Sequence, residues 1–239
     1  RIESRGLGDV YKRQKEYIYH VVMGKFFTEE EINPALNLLR LNYELIRDEF
    51  RSVKDGLVWT NWNSDNQYTS IEKNPYAGWQ VAALYGQYDP NEGYDHIAKA
   101  EVVYDQACYA DPEKGIIYSQ NAVKMPNLFK LAYESGIFKR VGISVLHPGK
   151  SIPWHVDTDP EHPDYAVIRG LWGIDVNPQN NEVCTISLDT KDSGVLTEDF
   201  LPNRYHFFWG RTPHMVHNTL TTPRYCLCFD IEVNRDDLL

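Results

Sequence analysis

The residue types best suited to chemistry lie in one stretch, Gly142-Ile-Ser-Val-Leu-His-Pro-Gly-Lys-Ser-Ile-Pro-Trp-His155-Val-Asp157. It reads as a strand, a turn at Pro148-Gly149, and a second extended run ending in His-Val-Asp. Side chains at i and i+2 of a strand share a face, so the His155 imidazole and the Asp157 carboxylate can aim at one point. They are two corners of a 2-His-1-carboxylate facial triad, a donor set that leaves positions open on a non-haem Fe(II). Alone, His-x-Asp also fits a surface turn, and a C-terminal partner is what makes it a metal-site candidate. That partner is expected from Thr212-Pro-His214-Met-Val-His217. His214 and His217 compete for the role, because residues three apart on a strand face opposite sides. His214 is preferred, since it follows the Gly210-Arg-Thr-Pro213 turn and stands ten residues before Arg224.

Two further residues suggest what would share the metal. The Thr221-Thr222-Pro223 turn predicts an antiparallel hairpin, with His214 and Arg224 on one interior face. Ser144 lies eleven residues before His155, on the preceding strand, where its hydroxyl could enter the same cavity. A fixed guanidinium opposite the metal can grip the far carboxylate of 2-oxoglutarate bidentately, and a hydroxyl can add a hydrogen bond. The open metal positions would then take the 2-oxo acid end and O₂.

Such a set needs a β scaffold, and the rest of the chain supplies one. The sequence of 239 residues fits a single domain with one good-sized core. Its 16 Tyr, 9 Phe and 6 Trp suit a β-rich interior. After Phe138 nearly everything is strand and turn, with strands expected at 139–147, 152–157, 166–176, 183–189, 205–209, 214–219 and 224–233. Many short strands spaced by turn residues indicate a sandwich or jelly-roll barrel. Upstream, a strand is expected over 16–27. A capping box at Thr28-Glu-Glu-Glu31, with Asn33-Pro34 as a second start, opens a helix expected to run from about 30–34 to 52. Polar turns follow over 53–78, then a strand over 78–85 and a loop over 86–114. A second helix is expected from Pro126 to the Gly136 stop. The division is therefore helical and strand support over 15–138 and a jelly-roll core over 139–233. Residues 1–14 contain Gly8-Asp-Val-Tyr-Lys-Arg-Gln14, which resembles a translated sequencing-adaptor fragment, and are read as a non-native or disordered scar.

The formal net charge of −10 disfavours a nucleic-acid partner. No apolar run approaches the roughly 20 residues of a membrane span, and no signal-peptide pattern opens the chain, so a cytoplasmic location is expected. Cys108, Cys184, Cys226 and Cys228 lack zinc-site spacing and read as small buried residues.

At these residues the sequence resembles the aspartyl/asparaginyl β-hydroxylase family of Fe(II)/2-oxoglutarate dioxygenases. The matching stretches are Ile143-Ser-Val-Leu-His-Pro-Gly149, Pro153-Trp-His155, Arg169-Gly-Leu-Trp-Gly173, Phe207-Phe-Trp-Gly-Arg-Thr-Pro-His214, and Arg224 with its apolar strand. The resemblance implies a double-stranded β-helix (cupin-like) fold with His155 and His214 as iron ligands. It also implies that Ser144, Arg169 and Arg224 contact 2-oxoglutarate. Two departures stand out: Asp157 is present where the family's animal peptide hydroxylases lack a ligating carboxylate, and Leu171 replaces a histidine found in some members. The segment after Asp157 carries Asp159, His162 and Tyr165, which are expected to meet the substrate as a lid or loop.

The leading expectation is an enzyme that consumes 2-oxoglutarate and O₂, releases succinate and CO₂, and hydroxylates a C–H bond of an amino acid or peptide side chain. The alternative is a non-catalytic metal-binding jelly-roll module that senses a small acid or peptide. A zinc hydrolase has less use for Arg224. Oligomeric state cannot be read from the sequence.

Overall fold

The computed structural model of the protein describes residues 24–61, 76–87, 108–111, 113, 115–157, 165–179, 181–190 and 194–238. Residues 1–14, most of the strand expected over 16–27, the turns after Asn61, most of the expected 86–114 loop, and Asp159 and His162 lie outside them.

The N-terminal helical region begins where the capping box predicts. Thr28 Oγ accepts from the Glu31 amide, and the Glu31 carboxylate accepts from the Thr28 amide. The single helix expected to reach residue 52 is broken, however, into α1 (Glu29–Ile32), a 3₁₀ turn (Pro34–Leu36), α2 (Asn37–Leu41) and α3 (Tyr43–Val53). Asn33 is extended and caps the 3₁₀ turn through its side chain. Asn42 donates its amide to the Leu38 carbonyl, a local bond that competes with the helical ladder. α3 buries Tyr43, Ile46 and Phe50. Tyr43 meets Trp172 edge-on, Phe50 meets Tyr225, and burying each Ile or Phe stabilises by about 1.5–3 kcal/mol. A short α4 (Gln120–Lys124), not expected from sequence, precedes α5 (Pro126–Ser135), which ends at Gly136 in the left-handed region.

The strands are β1 (Thr60–Asn61), β2 (Trp79–Gln87), β3 (Cys108–Asp111), β4 (Ile116–Ser119), β5 (Phe138–Leu146) and β6 (Ser151–His155). They continue as β7 (Tyr165–Asp175), β8 (Cys184–Asp189), β9 (Val195–Asp199), β10 (Tyr205–Trp209), β11 (His214–Asn218) and β12 (Arg224–Asn234). The larger sheet has the order β10-β7-β12-β5-β2-β4-β3, with β1 beside β2, and the smaller has β6-β11-β8-β9. All pairings are antiparallel. From β5 onward the chain passes back and forth between the two sheets, giving the double-stranded β-helix, or jelly roll, with helices against the outer face of the larger sheet. One core fills the space between helices and sheet, including Ile46, Phe50, Trp172 and Phe229. A second lies between the sheets, including Trp79, Leu171, Ile186, Phe200 and Cys226. Gly170 permits the first: a Cβ there would meet the Phe229 ring at 2.2 Å.

One expectation about connectivity is corrected. β11 and β12 do not form a hairpin, because β11 pairs with β6 and β8 while β12 pairs with β5 and β7. The 219–223 segment is instead a corner between sheets. Asn218 holds it, donating to the Leu146, His147 and Thr222 carbonyls and accepting from the Leu220 amide. Both His214 and Arg224 are buried, but they reach the interior from opposing sheets.

Candidate metal centre

Cross-strand pairing builds the two-imidazole half of the site. His155, at the end of β6, lies opposite His214, at the start of β11. Their ring centroids are 4.1 Å apart. Ile152 and His155 are three residues apart, so a regular strand would turn them to opposite faces. A β-bulge absorbs the difference: Ile152 pairs with Val216, and Pro153-Trp154 together oppose Met215. Trp154 is left half exposed while the His155 ring is mostly covered. On β11, His214, Val216 and Asn218 are buried whereas His217 is exposed, its Nδ1 2.6 Å from Ser151 Oγ. The structure thus places His214 inside and His217 outside.

Both inner histidines are held in the same tautomer. Each donates from Nδ1–H to a backbone carbonyl two residues upstream, His155 to Pro153 and His214 to Thr212, both at 2.8 Å. That leaves each Nε2 with a lone pair, the form a metal requires. Burial, reinforced by the neighbouring His155, pushes the His214 pKa down to about 3, so its ring is neutral at neutral pH.

Asp157 completes the group. Its Oδ1 lies 3.9 Å from His155 Nε2 and its Oδ2 lies 3.9 Å from His214 Nε2. One donor atom from each of the three residues falls within a 4.8 Å set. That span is roughly twice a metal–nitrogen bond of about 2 Å. Arg169 Nη1 is 3.2 Å from Asp157 Oδ2, yet that oxygen is buried with no hydrogen bond, so the guanidinium neutralises it without capping it. A buried carboxylate oxygen without a hydrogen bond, beside two free imidazole nitrogens, is a donor set suited to a divalent ion such as Fe(II).

A second group lies in the same inter-sheet core. Arg224 is 1% exposed, and its guanidinium lies over the Phe200 ring, 4.8 Å from the centroid. Nη1 points to Cys226 Sγ, but Nε and Nη2 have no hydrogen-bond partner. Among the described residues no carboxylate pairs with it. Ser144, paired across the sheet with Cys226, is also buried. Its oxygen accepts from Trp79 Nε1 at 2.9 Å, which leaves its own proton for an acceptor.

Arg169, expected beside the same ligand, is engaged elsewhere, with Asp157 and with Asp230. Tyr165 begins β7 on the strand alternation that carries Arg169 and is half-buried. Two residues passed over in the sequence belong to the interior. Asp230 bonds both Arg140 and Arg169, and alternation with Arg224 along β12 could have revealed it. His206 has a fully buried side chain, with Nδ1 3.0 Å from Glu198 and Nε2 unpartnered. Burial lowers its pKa against the pull of Glu198. Free thiols line the same space, and burial pushes Cys184 up to about 11 and Cys228 to about 12.

A protein-family model described as Aspartyl/Asparaginyl beta-hydroxylase matches residues 40–233. No curated protein matches the chain. Among solved structures, it is similar to a Pseudomonas putida prolyl-4-hydroxylase, at 13% identity and TM-score 0.44, over 89% of this chain and 94% of that one. A Trichoplax adhaerens prolyl hydroxylase in complex with a hypoxia inducible factor peptide fragment gives 10% identity and TM-score 0.44, over 99% and 96%. Peruvianin-I, a cysteine peptidase from Thevetia peruviana latex, gives 13% identity and TM-score 0.29 over 38% of this chain; the match spans about half of that chain, 49%.

Proposed function

The chain belongs to the aspartyl/asparaginyl β-hydroxylase family, and from that premise we propose that it is an Fe(II)/2-oxoglutarate-dependent dioxygenase. Its reaction is hydroxylation of a C–H bond in an amino acid or peptide side chain. One observation carries the co-substrate assignment: Arg224 is a buried cation with two unpartnered nitrogens and, among the described residues, no anion to balance it. Leaving such a group unpaired costs several kcal/mol, which a bound carboxylate offsets. A dicarboxylate satisfies Arg224 at one end and leaves the other for the metal.

Within this reading His155, Asp157 and His214 hold Fe(II), and Arg224 and Ser144 hold the distal carboxylate. When bound, the iron with 2-oxoglutarate and O₂ supplies the oxidising power, and succinate, CO₂ and a hydroxylated product leave. The inter-sheet core, walled by Trp79, Leu171, Phe200 and Phe208, keeps bulk water from these groups. Tyr165 at the start of β7, with Asp159 and His162 from the preceding segment, is assigned to the substrate. The net charge of −10 favours an amino acid or peptide over a polyanion.

The test is a panel of amino acids and peptides assayed for substrate-dependent succinate release with Fe(II). Release that requires 2-oxoglutarate, and that fails in Arg224→Ala at low co-substrate, supports the assignment. Metal and 2-oxoglutarate binding with no turnover on any member would favour the sensing module instead.

A further inference from the structure

Asp157 stands two residues past the end of β6, so strand alternation no longer fixes its side chain. Among the described residues, its backbone amide donates to the Gly210 carbonyl at 2.9 Å. Its carboxylate touches Arg169, which is itself held from behind. Arg169 Nε donates to Asp230 Oδ1, and the other Asp230 oxygen accepts from Arg140 Nε at 2.6 Å. Asp157, Arg169, Asp230 and Arg140 therefore form a row of alternating charge running out to a half-exposed guanidinium. β-Sheet pairing sets this row, because Asp230 on β12 lies opposite Arg169 on β7 and Arg140 on β5.

The geometry at Asp157 is unusual for an arginine–carboxylate pair. The preferred arrangement is a two-pronged fork, with both carboxylate oxygens capped. Here Nη1 comes to 3.2 Å of Oδ2 but makes no hydrogen bond to it, donating instead to Cys228 Sγ at 3.8 Å. The Nε edge of Arg169, which a fork would use, is occupied by Asp230. We propose that Asp230 is a positioning residue: it turns Arg169 aside so that Asp157 presents a free oxygen to the metal. Without it, Arg169 rotates onto Asp157 and competes with the ion for the same lone pairs. This inference rests on the metal site proposed above.

The test is anaerobic titration of the full chain with Mn(II), with melting curves to show that each variant folds. Asp230→Asn is expected to weaken Mn(II) binding by about 10–100-fold, the usual cost of losing a residue that orients a metal ligand. Adding Arg169→Met to Asp230→Asn should regain most of that loss, which a merely structural role for Asp230 would not produce. Lys139→Gln breaks another β5–β12 ion pair, to Glu232, and should bind as the parent does. Wild-type affinity in a folded Asp230→Asn, or a double variant no better than the single, overturns the proposal. If Asp230→Asn does not fold, Arg169→Met alone decides: binding as tight as the parent supports the proposal, and loss overturns it. A parent chain that does not bind Mn(II) or Fe(II) defeats the metal site itself, a distinguishable failure.

Discussion

The two charged regions inside the barrel are built on opposite terms. At the metal side every charge has a partner: Asp157 faces Arg169, Arg169 is held by Asp230, and Asp230 also holds Arg140. Beyond them lies Arg224, more deeply buried, which meets the Cys226 thiol and the Phe200 ring. In the first region the charges are paired within the fold, and Asp157 Oδ2 is left without a hydrogen bond for an ion to meet. In the second, no carboxylate among the described residues meets the cation, and an arriving anion would recover the cost of its burial. Ligand binding should therefore depend on the first region for chemistry and on the second for affinity.

Removing a donor from the metal side is the largest expected effect. His155→Ala, Asp157→Ala and His214→Ala should each abolish iron-dependent turnover while the fold persists. Full activity in His214→Ala with loss in His217→Ala would reverse the assignment of inner and outer histidine.

Next comes Arg224→Ala, which should weaken 2-oxoglutarate binding at least tenfold, since losing one partner of a desolvated charge pair costs about 2–5 kcal/mol. Arg224→Lys should recover only part, because an ammonium cannot form the fork. An unchanged apparent affinity in Arg224→Ala, measured by titration, would erase the contrast between the two regions.

The same contrast predicts a stability gain. Arg224→Met removes an unsatisfied buried cation, so the ligand-free protein should become more stable by about 1–3 kcal/mol in urea unfolding. Added 2-oxoglutarate should then raise the melting temperature of the parent but not of the variant. A ligand-free Arg224→Met less stable than the parent would mean that the cation is balanced.

A smaller effect is set by pH. The His214 pKa is depressed to about 3 in the fold, against 6.5 for an unperturbed histidine, and burial lowers His206 too. Below about pH 6.5 the unfolded chain takes up protons that the native state refuses. The His214 contribution should be constant above that value and lower stability as pH drops towards 3, by up to about 1.4 kcal/mol per unit, with His206 adding a loss of the same sign. Urea midpoints of metal-free parent and His214→Ala across this window check the sign; the variant should show a shallower decline.

The smallest is His217→Ala. Among the described residues its exposed ring hydrogen-bonds Ser151 alone, so stability should change within about 0.5 kcal/mol and metal affinity should hold.

Much of the architecture was legible because local signals and burial agreed. The seven strands expected after Phe138 appear within two residues of their expected ends, whereas β9, exposed along most of its length, was not expected. The Thr28 box and the Gly136 stop appear as expected, since capping chemistry is local. What escaped the sequence was what depends on pairing between distant strands. The ten-residue spacing of His214 and Arg224 suggested neighbours in a hairpin, yet a corner held by Asn218 sends them into different sheets. Strict alternation from Ile152 would have turned His155 outward; only the pairing with β11 reveals the bulge. Asp230 looked ordinary because its partner Arg169 lies sixty-one residues away, and His206 because Glu198, eight residues before it, sits on β9, a strand not expected from the sequence.

The clamps on the two imidazoles carry a consequence for inheritance. Pro153 and Thr212 hold those rings through main-chain oxygens, which every amino acid supplies. A point substitution that leaves the backbone path intact keeps the carbonyl, so alanine scanning is blind to both clamps. Asp157 is oriented through the side chains of Arg169 and Asp230, each removable by a single codon change. Drift therefore reaches the carboxylate corner more readily than the imidazole pair, and natural variation in this site should concentrate there.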